Sequence, residues 1–251
     1  MKVIIKENRK EIGRLAAEEG AKIIKKAIAD KGEANIIVAT GASQFEMLEA
    51  LVRFTDIRWD KVSAFHLDEY IGIDITHPAS FRLYLWERFV SKLPLPLKYF
   101  YYIDGSKNPD QTIKEANETI SKYKIDLAFI GIGENGHIAF NDPPADLETK
   151  SPYIIVNLDL ACRRQQLGEG WFKTIEDVPE KAISMSINKI LESKQIICTV
   201  PDERKAEAVY NTLYREVSPI YPSTSLKLHP NVSLYLDRYS ASKIKDNYNI
   251  Q

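Results

Sequence analysis

The sequence is short of the features that announce several protein classes. It holds two cysteines, Cys162 and Cys198, in 251 residues. They form no CxxC pair, and the histidines, spread from His66 to His229, supply no zinc-ligand spacing. Neither a disulfide framework nor a structural zinc module is expected, and two reduced thiols fit a cytoplasmic protein. No run approaches the ~18 apolar residues that a membrane-spanning helix needs. The apolar core of the N-terminus, Val3-Ile4-Ile5, is too short for a secretion signal. Excess charge is missing as well: 34 Lys and Arg against 35 Asp and Glu leave a net charge of −1. The chain therefore has no bulk attraction to nucleic acid or to an anionic membrane, and neither is expected as a partner. There is no internal repeat, no low-complexity segment and no composition break that would mark a linker.

What is present is an alternation. Apolar runs at 36–39, 62–67, 127–130, 182–187 and 196–200 read as buried strands, with shorter candidates at 3–5, 99–103, 153–158 and 233–236. Helical spacing fills the intervals. It is clearest at 11–30, where Ile12, Leu15, Ala16, Ile23, Ala27 and Ile28 share a face, and recurs after Ser43, at 79–90, at 109–122 and after Asp202. Such alternation predicts a mostly parallel sheet covered on both faces: a single α/β/α domain over 1–251. Residues 159–180 show no clear period and read either as a flap over a site or as a surface excursion.

The glycines concentrate where the chemistry should be. The strand at 127–130 runs into Gly131-Ile132-Gly133-Glu134-Asn135-Gly136-His137, with Asp142 five residues beyond the histidine. Glycines permit positive φ and close approach of a ligand, and open α/β sheets bind ligands at the carboxyl ends of their strands. An imidazole beside a carboxylate is a candidate acid–base pair; a packed histidine in a turn is the plainer alternative. Thr40-Gly41-Ala42-Ser43 lies between a strand and a helix, where unpaired N–H groups and hydroxyls suit a phosphate, though Ser43 could simply cap the helix. The loop is neither a Walker A motif nor a GxGxxG run. Asp68 ends a buried strand. Partial desolvation would raise its pKa and make it a base; alternatively, the next helix N-terminus holds it. Lys205, Arg163 and Arg164 are candidate phosphate clamps if the fold brings them to the Thr40 loop. His66, His77 and His229 are expected to be structural.

Four segments in order resemble the glucosamine-6-phosphate deaminase/isomerase family: Thr40-Gly41-Ala42-Ser43; Phe65-His66-Leu67-Asp68-Glu69-Tyr70 with His77-Pro78 and Ser80; Gly131 through Pro143; and Leu226-Lys227-Leu228-His229-Pro230. The resemblance implies a modified Rossmann-like fold and conversion of an amino sugar phosphate to a ketose phosphate and ammonia, without metal or organic cofactor. By position Asp68 resembles the family's C2 base, and His137 its ring-opening histidine, supported by Asp142. Thr40, Gly41, Ala42, Ser43, Gly136, Lys205 and Arg163 resemble its substrate and phosphate contacts. Asn135 stands where well-known members carry Asp, and Asp142 where they carry Glu. The partner implied is a small-molecule sugar phosphate, with homo-oligomerisation left open. Galactosamine 6-phosphate is an alternative substrate. The related 6-phosphogluconolactonases share the histidine loop, but theirs continues into a Thr-Ala-Ser-Leu-Phe-Pro-like run, where this chain reads Ile138-Ala139-Phe140-Asn141-Asp142-Pro143. A sensor that binds a sugar phosphate without turnover is the reading from another class.

Overall fold

The computed structural model describes residues 1–168 and 170–245. In chain order these form β1 (Lys2–Lys6), α1 (Arg9–Lys31), β2 (Ala34–Val38), α2 (Phe45–Leu51), β3 (Val62–His66), β4 (Asp68–Tyr70), α3 (Phe81–Arg88), β5 (Tyr99–Tyr101) and α4 (Pro109–Ile120). The second half adds β6 (Leu127–Ile130), β7 (Tyr153–Asn157), α5 (Leu160–Gly168), β8 (Lys181–Met185), α6 (Ile187–Leu191), β9 (Gln195–Val200), α7 (Ala206–Tyr214) and β10 (Val232–Asp237). The boundaries of α1 follow from side-chain chemistry. The Asn8 side chain accepts from the Lys10 and Glu11 N–H groups, and Gly32 ends the helix at φ 82°.

Among the described residues, seven strands form one sheet in the order β1-β10-β9-β6-β2-β3-β5, with every neighbouring pair parallel. Its strands are largely apolar because both faces are covered. Ile36 and Val38 of β2 pack with α1 and α2, while Ile37 between them faces the opposite core with Ala128, Ile130, Cys198 and Val200. From β2 the chain proceeds outward to β3 and β5; from β6 it proceeds the other way, to β9 and β10. The carboxyl ends of β2 and β6 thus flank the point where the winding reverses, which is where open α/β sheets leave a crevice.

The expected mostly parallel sheet is present, and a second sheet accompanies it. β4, β8 and β7 pair antiparallel in a three-stranded sheet. The run at 62–67 therefore divides: β3 stays in the large sheet, and the chain crosses at Leu67 into β4. His66 fixes the crossing. Its Nδ1 donates to the Asp68 carbonyl at 2.9 Å and its Nε2 accepts from the Ile103 N–H at 2.8 Å. Burial lowers the His66 pKa to about 3, so the ring stays neutral in this role. No helix among the described residues is long and apolar enough to cross a membrane.

Glu69 shows how tightly the small sheet is held. Its fully buried carboxylate accepts from Ser80 Oγ at 2.8 Å, from the Phe81 and Arg82 N–H groups at the start of α3, and from Arg82 Nε at 3.2 Å. Burial raises its pKa, against those donors. Ser80→Ala removes the shortest of these bonds. It is expected to cost about 1–3 kcal/mol, read as a lower urea midpoint at unchanged m-value.

Candidate active site

An open cleft lies at the winding reversal. Four carboxyl-terminal loops reach it: residues 39–43 after β2, Leu67 and Asp68 after β3, residues 131–140 after β6, and residues 201–205 after β9. Thr40, Gly41, Ala42, Ser43, Asp68, His137 and Lys205 all line this one cleft, so the fold brings together groups spread over 166 positions of sequence from Thr40 to Lys205.

The loop at 40–43 is positioned from several sides. Tyr84 Oη donates to the Gly41 carbonyl at 2.9 Å, and Arg9 Nη2 to the Ala42 carbonyl at 2.6 Å. Buried Gln44 donates to Ser43 Oγ at 3.1 Å and to the Ile130 carbonyl at 3.2 Å, tying the loop to the end of β6. Ser43 therefore does not cap α2 with its side chain; Gly41 Cα turns the chain at φ 89° and its carbonyl accepts from Gln44 N–H. The N–H groups of Gly41, Ala42 and Ser43 donate to no partner among the described residues. The cleft also receives Lys205 and Arg204, from the turn that precedes α7.

Asp68 is 5% exposed, with its carboxylate in the cleft wall and Thr40 Oγ1 donating to it at 3.4 Å. Burial, with the neighbouring Glu69 charge, raises its pKa to about 8. The fate foreseen as the plain alternative for Asp68, capture by the next helix, falls to Glu69 instead.

His137 faces the cleft from the opposite loop. Its Nδ1 lies 2.7 Å from Asn135 Oδ1 and 3.1 Å from Asp142 Oδ1, and Asn135 Nδ2 donates to Asp142 Oδ1 at 2.9 Å. Both neighbours of Nδ1 are acceptors, so the proton resides on Nδ1 and the lone pair of Nε2 is left to act as a base. Burial pushes the Asp142 carboxyl up, but the His137 and Asn135 contacts outweigh it and hold the pKa below its ordinary value. Asn135 and Asp142 do not line the cleft; they stand behind the imidazole and orient it. Gly133 completes the arrangement. A Cβ built there would lie 2.2–2.4 Å from three atoms of the His137 ring, so only glycine leaves room for the imidazole.

Three expected contacts are corrected. Arg163 does not reach the cleft: its guanidinium donates to the Val178 carbonyl at 3.1 Å and to the Ile175 carbonyl at 2.6 Å, binding α5 to the loop that follows it. Arg164 is exposed. Gly136 is also outside the cleft lining. It turns the histidine loop at φ 88°, and its carbonyl accepts from Ser223 N–H at 2.9 Å. The segment at 159–180, with no period in the sequence, begins as α5 and packs Cys162 and Phe172 against Tyr70, Phe81 and Phe140.

Other groups at the cleft were not foreseen. Gln165 accepts from the Glu134 N–H at 3.2 Å, and buried Gln166 accepts from Tyr70 Oη at 2.6 Å. Glu134 pairs with Arg204 at 3.3 Å. Arg204 sits beside Lys205 on the same turn, so that adjacency could have drawn it in. Arg9 starts the first helix, and nothing local in the sequence links it to Ala42. His137, Asp142 and Cys162 place one nitrogen, one oxygen and one sulfur within 4.8 Å of one another, the one such metal-competent group among the described residues.

Comparison with known proteins agrees with this architecture. The family model described as glucosamine-6-phosphate isomerases/6-phosphogluconolactonase matches residues 7–233. A protein of Thermoanaerobacter pseudethanolicus named glucosamine-6-phosphate deaminase is 33% identical, over 98% of this chain and 96% of its own. One of the same name from Streptococcus pneumoniae is 33% identical over 98% of this chain and all of its own length. The solved structure of a monomeric glucosamine-6-phosphate deaminase superposes with a TM-score of 0.89 at 28% identity, covering 96% of this chain and 99% of that one. A putative 6-phosphogluconolactonase from Neisseria gonorrhoeae shares the fold at a TM-score of 0.74 and 20% identity, covering 94% and 98%. With the model spanning nearly the whole chain and full-length relatives at this identity, the chain belongs to the glucosamine-6-phosphate isomerase/6-phosphogluconolactonase family.

Proposed function

We propose that the protein converts glucosamine 6-phosphate and water into fructose 6-phosphate and ammonia. The observation that carries the reading is Asp68: a buried carboxyl with its pKa raised to about 8, in the wall of the cleft that His137 also lines. Moving a proton between two adjacent carbons requires a base that takes it and gives it back, and a carboxyl of that pKa exchanges protons near neutrality. The names of the full-length relatives support the same substrate.

In this reading the phosphate rests on the N–H groups of residues 41–43, with Lys205 beside it. That remote binding energy holds the reacting carbons in place. His137 Nε2 takes the O1 proton and returns it to the ring oxygen, opening the pyranose. Asp68 removes the proton from C2, which bears the amine, and an enolamine forms. The same proton, delivered to C1, leaves an imine at C2 as one amine proton passes to O1. Water adds to that imine, and ammonia departs.

Ammonia and ketose release from glucosamine 6-phosphate is the test, run beside galactosamine 6-phosphate and 6-phosphogluconolactone. Ammonia with ketose is expected from the first. Lactone hydrolysis without ammonia would assign the chain to the other branch of its family, and thermal stabilisation without any product would make it a sensor. Lys205→Ala is expected to raise KM for the sugar phosphate about 10–100-fold, the loss of one charge-assisted contact. An unchanged KM would remove Lys205 from the phosphate site.

A further inference from the structure

We propose that His137, Asp142 and Cys162 form a buried site for a soft divalent cation, Zn2+ being the natural occupant. One imidazole nitrogen, a carboxylate oxygen and Sγ lie within 4.8 Å of one another, and Nδ1 is the ring nitrogen on the Asp142 side, 3.1 Å from Oδ1. Tetrahedral zinc with bonds of about 2.0–2.3 Å sets its ligands roughly 3.3–3.8 Å apart, so the cluster needs a contraction of about one ångström. The donor set is also of the right chemistry, one imidazole, one thiolate and one carboxylate. A second observation points the same way. The Asp142 side chain is 7% exposed, no nitrogen or oxygen donor reaches its Oδ2, and its carboxylate meets the Cys162 thiol. A buried carboxylate oxygen that no nitrogen or oxygen donor reaches is costly, and a cation between Asp142 and Cys162 would satisfy it. Asn135 Oδ1, already 2.7 Å from His137 Nδ1, is placed to support a fourth ligand. Of the three, His137 lines the cleft.

The protons balance simply. The proton on His137 Nδ1 is replaced by the metal, and neutral imidazole then carries its proton on Nε2. The Cys162 thiol loses its proton to solvent, so one proton leaves per ion bound. The tautomer facing the cleft is inverted: Nε2 becomes a donor with no lone pair. On the reading in which His137 opens the sugar ring, the occupied site is inactive, and the chain carries a metal-dependent off state built from its own histidine relay.

Metal binding and its consequence separate experimentally. Titration of the reduced, metal-free protein with Co2+ is expected to give a near-ultraviolet thiolate-to-cobalt band, retained in Cys198→Ser, absent in Cys162→Ser and Cys162→Ala, and abolished by one equivalent of Zn2+. Both Cys162 variants should unfold within a few degrees of wild type without metal, so that loss of the band reports the ligand and not the fold. No band in the wild type, or a band that survives in Cys162→Ser, would overturn the site. In parallel, Zn2+ should inhibit the wild type reversibly by EDTA, with the midpoint at least tenfold higher for Cys162→Ser. A full cobalt band with undiminished turnover would leave the metal site standing and overturn the ring-opening role of His137.

Discussion

Asp68→Asn is expected to lower kcat for ammonia release by about 10³–10⁴-fold, the upper part of the range for removing a positioned base, while KM changes little because the phosphate contacts are elsewhere. The wild-type kcat/KM should climb with pH through an acid limb near 8, the pKa to which burial and Glu69 raise the carboxyl, and that limb should vanish in the variant. The charged or titratable neighbours are few. Glu69 is held by α3 and Arg82, His66 is neutral, and Tyr153 is buried with its pKa raised well above the ordinary value.

The same substitution should stabilise the fold, and the sign follows from linkage. Below the unfolded pKa, near 4, Asp68 is protonated in both states and contributes nothing. As pH rises the unfolded chain releases the proton first, so the folded state loses ground until about pH 8, where the penalty levels off. Asn carries no such penalty. Asp68→Asn is therefore expected to be more stable than wild type by an amount that grows from acid pH to pH 8, on the order of a few kcal/mol at the plateau. Urea unfolding at pH 4 and pH 8.5 reads it directly. Equal stability of the two proteins at both values would show that Asp68 ionises freely, and the case for it as the base would fall.

Gly133→Ala should be nearly as damaging to turnover and quite different in kind. The added methyl would stand 2.2–2.4 Å from Cε1, Nε2 and Nδ1 of His137, so the ring must swing away from Asn135 and Asp142. A shift of about an ångström in a proton-transferring group costs on the order of 10²-fold, and loss of the tautomer control adds to it. We expect a 10²–10³-fold fall in kcat, with sugar-phosphate binding retained, since residues 41–43 and Lys205 are on other loops. Binding measured by thermal shift with the ketose phosphate separates this outcome from collapse of the site.

Several parts of this arrangement were legible from residues alone. The doubly covered strands β2, β6 and β9 read as apolar runs because each faces a core on both sides, and the glycines of the histidine loop marked a place where backbone and ring approach closely. Asp68 and His137 could be paired because each follows a buried strand, and parallel strands deliver their carboxyl ends to one edge. The small antiparallel sheet was illegible: β4 is three residues long and continues β3 after a single residue, so nothing local marks the change of sheet. Arg163 misled for a related reason. A cation beside the site and a cation whose guanidinium binds backbone carbonyls have the same sequence signature, and only the path of α5 separates them. Arg9 was invisible because its contact with Ala42 spans 33 residues and depends on how α1 packs against α2.

The central claim is that one sugar phosphate touches four strand ends at once. A crystal structure of Asp68→Asn with glucosamine 6-phosphate tests it most directly. The account predicts phosphate oxygens on the N–H groups of residues 41–43 with Lys205 beside them, C2 facing the side chain at position 68, and the ring oxygen within hydrogen-bond reach of His137 Nε2. A sugar seated with its phosphate on another surface, or with C2 turned away from position 68, would contradict it.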